Sequence, residues 1–390
     1  MRVVFTPHGY SPSIGGAQEY TTGLAEGLAR LGHEVHVVSP DIADPEAFYE
    51  LGHRVAGPAK EEITGVRVHR IGYRSILYRA GFTRTRGLAL RSSLARYRRN
   101  LSKRVSALRP DIVITLPHLF PNVVETVALR ARSDWSLVYA PLLHEHDPYW
   151  PAERVADAVA AADAVLALTE HEADRLVTSY RADRTRTAVI PPGVDIPEEY
   201  ATDRPEPVVL ALGRRAASKR LEVIYEAMCI VWNRHTDARL VVAGAPPEGS
   251  PDPAEPFRGD DRVMIIDRFE PDERRHLLTS ARILASASLI ESFGITTLEA
   301  WAHGTPVVVM DTPVGRSVVR DGIDGLLAGP DARLLAAQIQ RAIADPALTE
   351  RLGVAGRHRA ETEFSWAEST RRLEGLLASL DPPSTQRVSE

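Results

Sequence analysis

The 390-residue chain has a single cysteine, Cys229, so neither a disulfide framework nor a cysteine-based metal cluster can be built. Long apolar runs are also missing, and none approaches the ~18 uninterrupted apolar residues of a membrane span. Lysine occurs only at positions 60, 103 and 219, so 44 of the 47 cationic side chains are arginine. We read that bias as GC-rich coding, not as a site. Against 52 acidic residues the formal charge is −5, which excludes a globally basic nucleic-acid binder. The apolar run of Val3, Val4 and Phe5 ends at Pro7, too short for the core of a signal peptide. It reads as a first strand, and the expectation is a cytoplasmic protein. Core material is plentiful, with 44% hydrophobic and 25% charged residues. The length gives a prior of two or three domains at roughly 150 residues each.

Short apolar runs alternate with amphipathic stretches, the pattern of strand–helix–strand units around parallel sheets. Strands are expected at Arg2–Thr6, Glu34–Ser39, Asp111–Leu116, Leu137–Ala140, Ala164–Ala167 and Thr187–Ile190, and a helix at Glu19–Leu31 with Gly32 as its C-cap. Five prolines and Gly193 then fall within Pro191–Pro207, an interdomain linker by composition. The alternation restarts with strands at Val208–Leu212, Leu240–Ala243, Val263–Ile266, Ile283–Ser286 and Pro306–Met310, and a helix at Leu221–Arg234. The fold class is therefore α/β, with two doubly wound halves and ligands expected outside the carboxyl ends of the strands.

Three loops carry chemistry. Ser11 to Gly16 joins the first strand to a helix, and the Gly15-Gly16 pair lets backbone approach a ligand. It is not the dinucleotide pattern G-x-G-x-x-G, and a plain tight turn is the other reading. The second loop, Gly213 to Arg220, follows the first strand of the second half, and there Arg214 and Lys219 can both reach a diphosphate. A solvated basic turn is its alternative. The third is Glu291-Ser292-Phe293-Gly294-Ile295-Thr296-Thr297-Leu298-Glu299, with two carboxylates flanking a helix start expected at Thr296. Free N–H groups and the helix dipole at that start suit a phosphate, and the carboxylates suit hydroxyls.

The Glu-x7-Glu segment continues into Ala300-Trp301-Ala302-His303-Gly304-Thr305-Pro306. Gly15-Gly16, Leu31 to Val35, Val189 to Asp195, Gly213-Arg214 with Lys219, and Asp321-Gly322 through Leu327 stand around it in order. This ordered set resembles the retaining glycosyltransferases of family four, with the GT-B architecture of two Rossmann-like domains facing a central cleft. The resemblance implies an acceptor domain over residues 1–195 and a nucleotide-sugar domain over 196–365. It further implies a helix at 366–380 crossing back onto the first domain; the polar tail 381–390 reads as disordered. It implies that Glu299 holds the nucleotide ribose, and Glu291 the donor sugar. Phe293, Gly294, Ile295 and Thr296 would line sugar and phosphates, with Arg214 and Lys219 neutralising the leaving diphosphate. The family's histidine facing the donor sugar would be His144, with His146 as the alternative register. Spacing also allows a metal reading of His144, His146 and Asp147. No D-x-D metal signature is evident, so no cofactor or metal is expected beyond the nucleoside diphosphate sugar itself. The position after the diphosphate lysine is commonly glycine in that family, and here it is Arg220.

The implied reaction transfers a sugar to a small-molecule, glycan or lipid-linked hydroxyl acceptor with retained anomeric configuration. A nucleotide-sugar epimerase and a non-catalytic sugar-nucleotide-binding protein are the competing classes. From Arg67 to Arg109 there are thirteen Arg or Lys and no acid. Leu90, Leu94, Tyr97, Leu101, Val105 and Leu108 form one apolar stripe within it. Two readings stand: a peripheral surface for anionic membrane, or a core-packed helix with a solvated arginine face.

Overall fold

In the computed structural model the described residues are 1–13, 15–42, 57–73, 86–118, 120–144, 152–198, 200, 204, 206–246 and 251–380. They fall into two units. Of these residues the first unit holds 1–143, 152–191 and 369–380, and the second holds 192–368 together with His144. His146 and the tail 381–390 lie outside the described residues.

The first unit runs β1 (Arg2–Pro7), α1 (Gly16–Arg30), β2 (Glu34–Pro40), β3 (Lys60–Ile63), β4 (Val66–Ile71), α2 (Arg86–Leu108), β5 (Ile112–Leu116), α3 (Pro121–Arg130), β6 (Ser136–Tyr139), α4 (Ala152–Ala161), β7 (Ala164–Ala167), α5 (Glu170–Tyr180) and β8 (Thr187–Val189). Its sheet has the order β3-β4-β2-β1-β5-β6-β7-β8. Every pairing is parallel except that of β3 with β4. Helices on both faces explain why the central strands read as unbroken apolar runs: Val3, Val4 and Phe5 are wholly buried. α1 starts earlier than its apolar period suggests, because Gly15 serves as N-cap and its carbonyl accepts the Glu19 N–H at 2.9 Å. Gly32 ends it with φ 86, as expected of a C-cap glycine.

The sequence reading missed the β3–β4 hairpin. Lys60, Glu61 and Glu62 give β3 no apolar face, as suits a charged edge strand. Its two-residue turn, Thr64-Gly65, has positive φ at both positions, the geometry that matches strand twist. The stripe on α2 packs into the first unit's core through Tyr97, Leu101 and Val105, with Leu90, Leu94 and Leu108 at its margin. Arg91, Arg98, Arg99 and Lys103 stay exposed, and Arg98 is neutralised by the buried Glu125 at 2.6 Å.

The second unit runs β9 (Val208–Leu212), α6 (Leu221–Val231), β10 (Arg239–Ala243), β11 (Val263–Ile266), α7 (Pro271–Ser280), β12 (Ile283–Ala285), α8 (Ile295–Ala302), β13 (Val307–Met310), α9 (Pro313–Val318), β14 (Leu326–Ala328), α10 (Ala332–Ala344) and α11 (Pro346–Thr362). The all-parallel order β11-β10-β9-β12-β13-β14 reverses direction between β9 and β12. That reversal is the topological switch point where such sheets leave a crevice. Two residues of the proline-rich stretch before β9, Val194 and Pro197, are tied down within this unit. Val194 N–H donates to Phe364 O at 2.8 Å, and Arg357 donates to Pro197 O at 2.7 Å.

The last helix, α12 (Trp366–Ser379), belongs to the first unit from Ser369 onward. His33 meets Glu374 at 3.2 Å, and a Cβ on Gly27 would run into the side chain of buried Thr370. Close helix packing here therefore depends on Gly27. Replacing it with valine should lower unfolding stability by about 1–3 kcal/mol through overpacking. Thermal or urea unfolding checks this, and an unchanged midpoint would show that α12 does not press on α1.

Candidate active site

The loops after β9 and β12 meet at the switch point of the second unit. Gly213, at φ 129, ends β9, and Gly244, at φ 147, ends β10. A Cβ on Gly244 would collide with the Gly213 carbonyl, so the two loop backbones touch only because that side chain is absent. Across the reversal, Thr296 Cγ2 lies 3.9 Å from where Gly213 would carry a Cβ. Gly294, at φ 92, caps α8 from the left-handed region, leaving the first-turn N–H groups of Ile295 and Thr296 without helical acceptors. These glycines leave an open cradle of backbone donors at a helix start.

Charged side chains surround it. Lys219, in a short 3-10 turn (Ala217–Lys219), pairs with Glu291 in the loop after β12. Both are half-buried, with side chains 32% and 26% exposed. Glu299, one turn into α8, is buried rather than exposed. Its Oε1 accepts a hydrogen bond from Arg274 on α7, while Oε2 is buried without a partner among the described residues. Burial pushes the Glu299 carboxyl above its usual range, and the Arg274 guanidinium offsets only part of that. An unsatisfied buried carboxylate oxygen costs free energy unless a donor arrives.

The remaining predicted residues take different positions. The Phe293 ring is buried edge-on against Phe364, centroids 5.8 Å apart, so only its backbone is available to a ligand. Arg214 is exposed and makes no ion pair among the described residues. Gly15 and Gly16 lie in the first unit, at the start of α1 beyond β1. His144 is exposed just past β6. The preceding residue, Leu143, donates its N–H to the buried Glu172 at 2.7 Å, and the other carboxylate oxygen accepts Leu168 N–H at 2.7 Å.

Two supporting residues escaped the sequence reading. Arg215, beside Arg214, is buried and donates to Asp252 at 2.7 Å, Asp267 at 2.8 Å and the Gly244 carbonyl at 2.5 Å. It locks the floor of the cradle, and through Asp252 it anchors the long segment after β10. Arg274 is the other, and a bond across 25 residues leaves no local sequence signal. Arg220 adopts φ 51 and ψ 49, the backbone that favours glycine, and its guanidinium donates to Pro330 O at 3.0 Å. That side chain is committed to a carbonyl.

Arg274 sets the charge balance of Glu299. In Arg274→Ala the buried carboxylate loses its cation, so its folded-state pKa rises further above the unfolded value. Such a group is harmless while protonated and destabilising once pH passes the ordinary carboxylate range. The stability lost in Arg274→Ala should therefore be larger at pH 7 than near pH 4, and denaturation at both values checks it. An equal loss at both would remove the electrostatic explanation.

Residues 14–198 match the model described as "Glycosyltransferase Family 4", and residues 195–359 match "Glycosyl transferases group 1". D-inositol 3-phosphate glycosyltransferase of Segniliparus rotundus is 30% identical over 395 residues, covering 94% of this chain and 84% of that protein. The protein of the same name from Nocardia farcinica is 32% identical over 243 residues, 57% of this chain. The chain spans about half the length of that relative, 53%. Among solved structures, sucrose-phosphate synthase from Thermosynechococcus elongatus superposes with TM-score 0.78 at 21% identity, covering 97% of this chain and 98% of that one. Anabaena HepE in complex with UDP-glucose superposes with TM-score 0.72 at 18% identity, covering 97% and 100%. Both likenesses concern the fold.

Proposed function

We propose a donor, an acceptor class and a mechanism for this chain, which belongs to the family 4 glycosyltransferases and has the GT-B fold. The donor is a nucleoside diphosphate sugar held at the switch point of the second unit. The observation that carries this is Glu299. A buried carboxylate oxygen without a partner among the described residues, one turn into a helix preceded by the Lys219-paired Glu291, asks for hydroxyl donors next to an anion. A ribose diol on Glu299 with its diphosphate at Gly294–Thr296 and Lys219 satisfies every group at once. Glu291 takes hydroxyls of the sugar. The complex of HepE with UDP-glucose, a neighbour in fold, supports a uridine nucleotide as the first to assay.

Chemistry follows from where charge develops. As the glycosidic bond breaks, the diphosphate gains negative charge, and Lys219, Arg214 and the α8 N–H groups stabilise it. These donors supply the charge stabilisation, so turnover is independent of added metal. The resemblance supplies retention, with departure and attack on the same face of the sugar and His144 beside it. The acceptor is a hydroxyl compound bound by the first unit. The names of the relatives make a phosphorylated cyclitol the first acceptor to assay. The enzyme works where sugar nucleotides are made, in the cytoplasm.

Glu299→Ala should weaken nucleoside diphosphate binding by roughly tenfold or more, the loss of charge-assisted hydrogen bonds. Calorimetry measures it, and unchanged affinity would contradict the ribose role. His144→Ala should lower turnover while donor affinity is kept. If His146→Ala does this instead, the histidine register is off by two residues.

A further inference from the structure

Lys219 and Glu291 are both assigned to the ligand by the reading above, yet they are bonded to each other. Their contact joins the loop after β9 to the loop after β12. Apart from the exposed Arg214, the neighbouring cations discussed above are committed. Arg215 is held by Asp252 and Asp267, Arg220 by the Pro330 carbonyl, and Arg274 by Glu299. Lys219 is different because its partner is itself a proposed ligand group, and both are half-open to solvent.

We infer that Glu291 sets specificity for intact sugar nucleotide over free diphosphate, by competing with phosphate for Lys219 until sugar hydroxyls draw its carboxylate away. This rests on the proposed role of Lys219 as a phosphate ligand. A diphosphate without sugar must displace Glu291 and leave that carboxylate uncompensated beside its own negative charge. An intact donor carries hydroxyls that donate to the freed carboxylate, so the exchange is balanced. Once the sugar has gone to the acceptor, Glu291 loses those hydroxyls and returns to Lys219, loosening the diphosphate. The ion pair is therefore a built-in aid to product release. A plain surface ion pair would instead contribute next to nothing to ligand choice.

Inorganic pyrophosphate carries the diphosphate charge without sugar or base, which makes it the probe. It is titrated by calorimetry into the unaltered protein, Glu291→Gln and Lys219→Met, each first checked for an unchanged unfolding midpoint. Glu291→Gln is expected to bind pyrophosphate more tightly, by roughly three- to tenfold, and Lys219→Met more weakly. That gain is opposite in sign to what removing an ordinary binding residue produces. Unchanged or weaker binding by Glu291→Gln, with Lys219→Met still impaired, overturns the competition and leaves the phosphate site standing. Binding unaffected by Lys219→Met, or absent in both the unaltered protein and Glu291→Gln, removes the phosphate role of Lys219 and the inference with it.

Discussion

A carboxylate buried at the tip of a parallel sheet must find donors, and Glu299 finds them for only one of its oxygens. Arg274 serves Oε1, and Oε2 faces no donor among the described residues. Such a group is tolerated where a ligand completes it. Around it the same incompleteness recurs in milder form. In the first turn of α8 the N–H groups of Ile295 and Thr296 have no helical acceptor, and Lys219 pairs with the neighbouring half-open Glu291. Each is a charge or dipole, and together they are the basis for proposing an anion flanked by hydroxyls as the ligand.

The rest of the second unit holds these groups where they are. The reversal of strand order between β9 and β12 places two loop ends side by side with no crossover between them. Glycine at 244 lets backbone approach backbone, Gly213 and Gly294 supply positive φ, and the buried Arg215 ties the tips of β10 and β11 together. Trp301 anchors α8 from behind. It is wholly buried, and its Nε1 donates to Asp324 O at 2.8 Å.

Much of this was legible in the residues. The alternation of apolar runs and amphipathic stretches marked both sheets, because strands covered on two faces cannot hide their composition. Glu291, Gly294 and Glu299 were legible as a set, since a carboxylate on each side of a glycine-led helix start has few structural uses. Other features were not. The β3 strand carries lysine and glutamate outward at a sheet edge and has no apolar period to find. Arg214 and Arg215 are neighbours of one type with opposite fates, one exposed and one buried, and only the positions of Asp252 and Asp267 decide between them. The ring of Phe293 packs edge-on against Phe364, which in turn lies against Trp301, an inward turn that its place in the loop does not reveal. Long-range ion pairs and the inward turn of one aromatic ring are tertiary facts, and no local pattern encodes them.

The claim that everything else depends on is that the switch point of the second unit takes a nucleoside diphosphate. A crystal structure of the protein grown with UDP tests it most directly. The account predicts density with the ribose hydroxyls on Glu299 Oε2 and the diphosphate between Gly294–Thr296 and Lys219. Nucleotide density elsewhere, with Glu299 Oε2 still unpartnered, would contradict it.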